Sequence, residues 1–218
     1  MATGRSSLAG AHVGTSGWSY PSWKPGFYPA ETDSKEFLGF YAGRFSTVEL
    51  NTTGYRLPGE EQFVRWAEQT PPGFRFAPKL AGNRPTLLAD FGLRVAALGD
   101  RLGPIRVSLI SARDEGMIEL ILGSLDPGLQ VAFDLAHPSW DGIEPRLTAA
   151  GAVRVNDLEH DAPFRYVRFR DPPYDDETLR EWAPRLRKVD VPLYAYFRHE
   201  DAPTAPSYAE RLLELLDQ

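Results

Sequence analysis

The chain contains no cysteine, and several other features are scarce or missing. Without thiols there is no disulfide, no thiolate metal site and no cysteine nucleophile. No apolar run approaches the ~20 residues that a membrane span needs. The first ten residues also lack the apolar core of a signal peptide. These absences predict a soluble, cytoplasmic protein without a membrane partner.

Several sequence motifs of nucleotide and hydrolase chemistry are missing too. We find no P-loop, dinucleotide fingerprint, zinc-protease helix or nucleophile elbow, so nucleotide-driven and serine-hydrolase functions have no support. The net charge of −6 argues against a generally basic nucleic-acid coat but permits a local basic groove. The apolar content of 42% and charged content of 25% are ordinary for a globular protein of 218 residues.

The chain does contain a regular alternation of strand and helix patterns. The predicted strands are residues 12–16, 45–51, 74–79, 105–109, 130–134, 152–156, 166–170 and 193–197. The predicted helices are residues 34–44, 60–69, 86–102, 115–122, 143–150, 176–188 and 206–216, with Pro184 kinking or dividing the sixth. Strict alternation implies parallel strands, and eight units predict an α/β fold, a compact (β/α)8 TIM-like barrel. An open flavodoxin-like sheet needs about five units and is the weaker alternative. We expect a flexible leader over residues 1–10 and a single barrel domain over 11–218.

Each predicted strand has an apolar and a polar face, and we expect the apolar faces to meet the helices. The polar faces then place six cations and two carboxylates in the barrel lumen. These are Lys79, Arg106, Arg154, Arg168, Arg170 and Arg198, with Glu49 and Asp134. Buried charge must be paired or used, so the surplus of cations predicts an anion site. Arg106 and Arg154 lie early in their strands, and we expect them to reach solvent at the bottom rim.

The candidate substrate-binding residues follow strand ends, where barrel active sites form. Lys79, Arg170 and Arg198 are expected at the C-terminal mouth, and Tyr55 with Arg56 to bind the anion beside Lys79. The alternative for Arg56 is an ion pair with Glu60. Further candidates are Asn51, His137 and Trp18. The aromatic loop from Trp18 to Tyr28 suits stacking on sugars or bases, or else it is a hydrophobic lid packed on the barrel rim.

Glu49 and Asp134 are the candidate catalytic residues, as a general acid/base pair. The alternative is a structural role in salt bridges to luminal cations. No cofactor and no metal ligand is predicted. A divalent metal held by Glu49, Asp134 and His137, with His199 as a further candidate ligand, is a weaker hypothesis. Metal-dependent barrels use more histidine than this chain supplies, since His12 and His160 are poorly placed.

Several segments stand in order along nearly the whole chain and form a recognisable set. They include Gly14-Thr-Ser-Gly-Trp-Ser-Tyr20, Phe45-Ser-Thr-Val-Glu49, Tyr55-Arg-Leu-Pro58, His137-Pro-Ser-Trp140 and Tyr194-Ala-Tyr-Phe197. On these segments the chain resembles the domain of unknown function 72 family, also called YecE-like. The resemblance implies a TIM-like barrel and no settled activity. The chain departs from the family pattern at Gly54, Ser108, Ala136, Arg170 and Arg198. The chain therefore looks like a divergent member of the family. Any activity of the family is expected to be altered or lost in it.

Three functional hypotheses follow. The first is a barrel protein that binds, and hydrolyses or isomerises, a phosphodiester or sugar-phosphate at the mouth. The second is a non-catalytic module that binds nucleic acid or an anionic metabolite. The third is a sugar-processing enzyme, for which the aromatic loop and the two carboxylates would suffice. The sequence does not indicate an oligomeric state.

Overall fold

The computed structural model describes residues 10–81 and 88–218, which form an eight-stranded parallel α/β barrel. The expected leader, apart from Gly10, and the expected helix start at Thr86 lie outside the described residues. The strands are β1 (Ala11–Ser16), β2 (Thr47–Leu50), β3 (Arg75–Ala81), β4 (Ile105–Leu109), β5 (Val131–Leu135), β6 (Val153–Arg154), β7 (Arg165–Phe169) and β8 (Leu193–Phe197). Their order is β6-β5-β4-β3-β2-β1-β8-β7, and every ladder is parallel. The prediction of a TIM-like barrel is confirmed.

Helices follow every strand except β6. They are α1 (Phe37–Ala42), α2 (Glu60–Glu68), α3 (Leu88–Val95), α4 (Glu115–Ser124), α5 (Glu144–Ala149), α6 (Asp176–Arg187) and α7 (Thr204–Leu216). The helix expected to reach residue 102 ends as α-helix at Val95 and continues as a 3-10 helix, Ala96–Arg101. Pro184 does not divide α6, which runs through it. None of the described helices is long and apolar enough to cross a membrane.

The apolar strand faces pack against the helices, as the alternation predicts, and form the main core. Val48, Phe76, Val107, Phe133 and Phe197 are all 3% exposed or less and belong to this cluster. A second, smaller cluster fills the lower lumen. Its members are Ala77, Ala132, Val153, Val155, Phe164, Tyr166, Tyr194 and Tyr196. The two layers leave the polar luminal residues at the C-terminal end of the barrel.

The predicted faces of β6 are wrong. Val153 and Val155 belong to the luminal cluster, and Arg154 points outward to Glu144 and Asp141. The register explains this placement, because Arg154 pairs with Phe133, which also faces the helices. The buried carboxylate of Glu144 compensates the outward arginine. Arg154 is therefore neither luminal nor at the bottom rim.

Asn156 joins the seam between β6 and β7 with both its backbone and its side chain. Its backbone N–H donates to the carbonyl of Tyr166 at 2.9 Å. Its side chain accepts from the backbone N–H of Arg168 at 2.6 Å and donates to the carbonyl of Arg168 at 3.1 Å. The residue has a φ of 67°, a left-handed conformation that asparagine tolerates better than most residues. Asn156 thus substitutes for a strand ladder where β6 is too short to form one.

Candidate functional site

A cavity of ≈ 290 Å³ lies at the C-terminal ends of the strands. It is lined by Ser16, Asn51, Tyr55, Lys79, Arg106, Ser108, Asp134, Arg168, Arg170, Arg198 and His199. We call it the mouth cavity. The residues come from strands that are far apart in the chain or from the loops that follow them, and most sit at or near the C-terminal end of a strand. Arg106 is the exception, because it lies near the start of β4. Parallel strands bring those ends to one face, which is where barrel enzymes form their sites.

Glu49 is fully buried and contacts Arg106 and Arg168, two of the residues that line the mouth cavity. One carboxylate oxygen accepts from the hydroxyl of Tyr166 at 2.8 Å and lies 2.8 Å from Nε of Arg106; the other accepts from Arg168 at 2.9 Å. Burial raises the pKa of Glu49, but the charges of Arg106 and Arg168 outweigh it and lower the pKa from 4.5 to about 2. Glu49 is therefore a carboxylate that is already committed to two guanidinium groups.

Asp134, on β5, is the second acid of the site, and Arg106 lies between it and Glu49. It accepts from Arg106 and from Arg170, each at 2.7 Å, and Arg168 lies 3.9 Å away. Arg106 also donates to the side-chain oxygen of Asn51 at 3.1 Å. Both carboxylates are thus tied into one network with three arginines. This geometry favours the structural alternative for the acidic pair.

Arg106 is a correction to the sequence analysis, which expected it at the bottom rim. Its side chain is 2% exposed and lies between Glu49 and Asp134. Because an arginine side chain is long, a guanidinium from mid-strand can reach up to both acids, and these neutralise it where solvent cannot. The alternation of the strands correctly predicts that Arg106 and Arg168 point into the lumen. The expectation that Arg106 reaches solvent at the bottom rim is wrong.

Lys79 lies at the wall of the cavity, next to Tyr55. Its ammonium group is 4.6 Å from the centre of the Tyr55 ring and 3.4 Å from the Tyr55 hydroxyl. Gly54 makes room for this arrangement, because a Cβ there would lie 2.9 Å from Cδ of Lys79. Tyr55 itself is 69% exposed. Tyr55 therefore lies beside Lys79, as expected. The departure from the family pattern at Gly54 leaves the space that the Lys79 side chain occupies.

Three predicted binding residues lie outside the mouth cavity. Arg56 is exposed and does not line it. His137 caps a short 3-10 helix by accepting from the backbone N–H of Ser139 at 3.1 Å. Trp18 lies beside the cavity, edge-on to Trp66 with ring centres 5.2 Å apart.

The rest of the aromatic loop is packed, as the alternative of a hydrophobic lid expects. Trp23 and Tyr28 are fully buried. The indole of Trp23 donates to the carbonyl of Glu200, and the hydroxyl of Tyr28 donates to the carbonyl of Trp18. These contacts leave Trp18 and Tyr20 as partly exposed rings of the loop that border the site.

His199 and Ser16 line the cavity but were not among the predicted site residues. His199 stacks on Tyr20 at 4.6 Å, and burial and the charge of Arg198 lower its pKa below the usual range. Burial and the charge of Glu49 raise the pKa of Tyr20 to about 12. The alternation of β1 points Ser16 into the lumen and could have identified it. His199 follows the C-terminal end of the last strand, and that position could have identified it.

The residues that were considered for a metal do not come together as a ligand set. Within residues 10–81 and 88–218, no three side chains of His, Asp or Glu are grouped so as to hold an ion. Glu49 and Asp134 are engaged by arginines, and His137 lies at its cap. The residues present therefore do not fit the metal hypothesis.

The fold and the site define a class: a TIM-like parallel barrel with a polar, cation-lined cavity at the C-terminal ends of its strands. Comparison with known proteins gives the family. The model described as "Protein of unknown function DUF72" matches residues 12–218, so the chain belongs to this family.

Relatives support this assignment. The UPF0759 protein YecE of Escherichia coli K12 is 29% identical over 142 residues, which cover 59% of this chain and 49% of YecE. The match thus spans about half the length of that curated relative. A DUF72 family protein of Thermotoga maritima has a similar fold, with a TM-score of 0.79 at 22% identity over 95% of this chain and 99% of its own. One from Enterococcus faecalis has a TM-score of 0.78 at 14% identity, covering 95% and 98%. At these identities the solved structures show the fold alone.

Proposed function

We propose that this protein binds a small phosphate-containing ligand in the mouth cavity. The observation that carries the proposal is the charge around it. Five cationic side chains line the cavity, namely Lys79, Arg106, Arg168, Arg170 and Arg198. Two carboxylates, Glu49 and Asp134, oppose them. Three positive charges are left in a recess of ≈ 290 Å³, and a phosphate group would compensate them through charge-assisted hydrogen bonds.

Buried polar atoms in the same cavity support a ligand there. Among the described residues, Nε of Arg170 and Nδ1 of His199 are buried and make no hydrogen bond to the protein. Buried donors and acceptors are normally satisfied, because an unpaired one costs about 1–3 kcal/mol. Both line the mouth cavity, where the oxygens of an anion would be within reach of such groups.

The acids are better suited to holding the arginines than to moving protons. A pKa of about 2 makes Glu49 a weak base, and its oxygens are already engaged by two arginines and Tyr166. We therefore assign Glu49 and Asp134 to positioning Arg106, Arg168 and Arg170. Hydrolysis or isomerisation of the bound ester stays a prediction of the sequence.

Calorimetric titration with inorganic phosphate tests the proposal. Arg198 is exposed, so Arg198→Gln removes a mouth charge without opening the buried network. We expect phosphate affinity to fall at least tenfold, because a hydrogen bond to a charged group contributes about 1.5–3 kcal/mol. Arg56→Gln is the matched control, since Arg56 is exposed nearby but does not line the cavity. Absence of phosphate binding, or an equal loss in both variants, would overturn the proposal.

A further inference from the structure

A second cavity, of ≈ 410 Å³, lies beside the mouth cavity, between the end of β2, the loop after β1 and helix α2. We call it the side groove. Its walls combine two indoles, a phenol and three amides, contributed by Trp18, Trp66, Tyr20, Asn51, Gln62 and Gln69. Trp18 and Trp66 are partly buried, and Gln69 is exposed. The side groove is therefore open to a ligand and carries both an apolar face and hydrogen-bonding groups.

The two cavities adjoin each other. Asn51 lines both of them, and it is held in place by a hydrogen bond from Arg106. Tyr20 lines the side groove and stacks on His199, which lines the mouth cavity. One ligand can thus place a phosphate among the cations and extend its remaining part past Asn51 into the side groove.

The lining indicates the chemistry of that remaining part. Trp18 and Trp66 meet edge to face, with an interplanar angle of 89°, so they do not form a flat slot between two parallel rings. A planar base in an enclosed pocket is stacked between side chains on its two faces. A sugar needs only one aromatic face, together with groups that both donate and accept, and the amides of Asn51, Gln62 and Gln69 do both.

We infer that the side groove binds the sugar ring of a sugar phosphate, so that the ligand of this protein is a phosphorylated monosaccharide. The inference rests on the proposed function, because the phosphate of the same molecule occupies the mouth cavity. An acidic border supports a small ligand over a polymer. Asp171, Glu200 and Asp201 line the cavity that adjoins the mouth at Arg170 and Arg198, and they would repel a longer polyanion.

Calorimetry with inorganic phosphate, glucose 6-phosphate, ribose 5-phosphate and AMP tests the inference. We expect at least one sugar phosphate to bind tenfold or more tightly than inorganic phosphate. Gln62→Ala, a substitution on the surface of α2, should remove part of this gain, and Trp18→Ala should remove most of it. Both variants should bind inorganic phosphate like the parent protein, whereas Arg198→Gln weakens both kinds of ligand.

Controls separate binding from folding. Trp18 packs against the core, so Trp18→Phe, which keeps an aromatic ring, should retain most of the gain. Trp182→Ala is the matched control, because Trp182 packs on Phe169 away from the side groove. If inorganic phosphate binds but no sugar phosphate binds more tightly, the inference fails and the proposed function stands. If AMP binds more tightly than either sugar phosphate, the side groove holds a base and the inference also fails. If neither phosphate nor its esters bind, both are overturned.

Discussion

Glu49 shows at the scale of one residue how its surroundings decide what a carboxylate does. The alternation of β2 was enough to predict that Glu49 faces the lumen. Its partners come from β4 and β7, 57 and 119 residues further along the chain. Those partners convert a candidate base into an ionised counter-charge. A local pattern can therefore predict the direction of a side chain but not its ionisation.

Replacing Glu49 with glutamine should destabilise the protein strongly. Glu49→Gln keeps the shape but leaves Arg106 and Arg168 without a buried negative charge. Breaking a buried ion pair in this way costs about 3–5 kcal/mol. Urea denaturation measures the free energy of unfolding. The control is Glu61→Gln, because Glu61 is 92% exposed and 3.9 Å from its arginine, so little change is expected. Equal effects of the two substitutions would contradict the role given to Glu49.

The contribution of Glu49 to the free energy of unfolding should also depend on pH in the acid range. The folded-state pKa of Glu49 is lowered to about 2 from 4.5, so its contribution is fully present above the unfolded-state pKa. As the pH falls from 4.5 towards 2, the unfolded state takes up a proton first and that contribution is lost. The difference in unfolding free energy between the parent and Glu49→Gln should therefore shrink across this interval. A difference that stays constant would contradict the lowered pKa.

Strand β6 illustrates the scale of an element. The sequence predicts a strand over 152–156, but regular pairing covers Val153–Arg154 alone. The alternation predicts that the apolar face of this strand, Val153 and Val155, meets the helices. The register with β5 instead turns them into the lumen, where they complete a cluster around Tyr166 and Phe164. A two-residue strand has too few alternating positions for its faces to be predicted locally, so its neighbours decide them.

Asn156 should be essential to the seam beside this strand. Asn156→Ala removes two side-chain hydrogen bonds and places alanine at a φ of 67°. We expect a loss of about 2–4 kcal/mol in unfolding free energy, from the bonds and from the strained backbone. Asn156→Gly is the matched variant, because it loses the bonds without the strain and should be the less destabilised of the two. Hydrogen exchange at the backbone N–H of Arg168 should accelerate in both; continued protection of that N–H would refute the role of Asn156.

Positive and negative charges are distributed unevenly over the whole molecule. The net charge is −6, yet the mouth cavity concentrates five cations around two carboxylates. Acidic residues border it at Asp171, Glu200 and Asp201. Such a distribution favours a small anion that fits among the cations over a polymer that must also cross the acidic border.

This distribution predicts that nucleic acid does not bind. A fluorescent single-stranded DNA oligonucleotide should show no anisotropy change at physiological salt, under conditions in which inorganic phosphate binds. A nucleic-acid-binding module would instead bind it with an affinity that falls steeply with salt. Binding of the oligonucleotide that is lost in Arg198→Gln would favour that alternative from the sequence analysis.

The sequence by itself determined the architecture and most of the lumen. The alternation of strands and helices predicts eight parallel units, and strand polarity places Glu49, Lys79, Asp134 and Arg170 at one face. Both are local signals, because side-chain direction repeats every two residues along a strand.

Only the tertiary structure decided which charges meet. It placed Arg106 at the centre, turned Arg154 outward, left Arg56 and His137 off the site and brought His199 into it. The physical reason is that ion pairing and burial depend on distances between strands that are far apart in the chain. Those distances are set when the barrel is assembled.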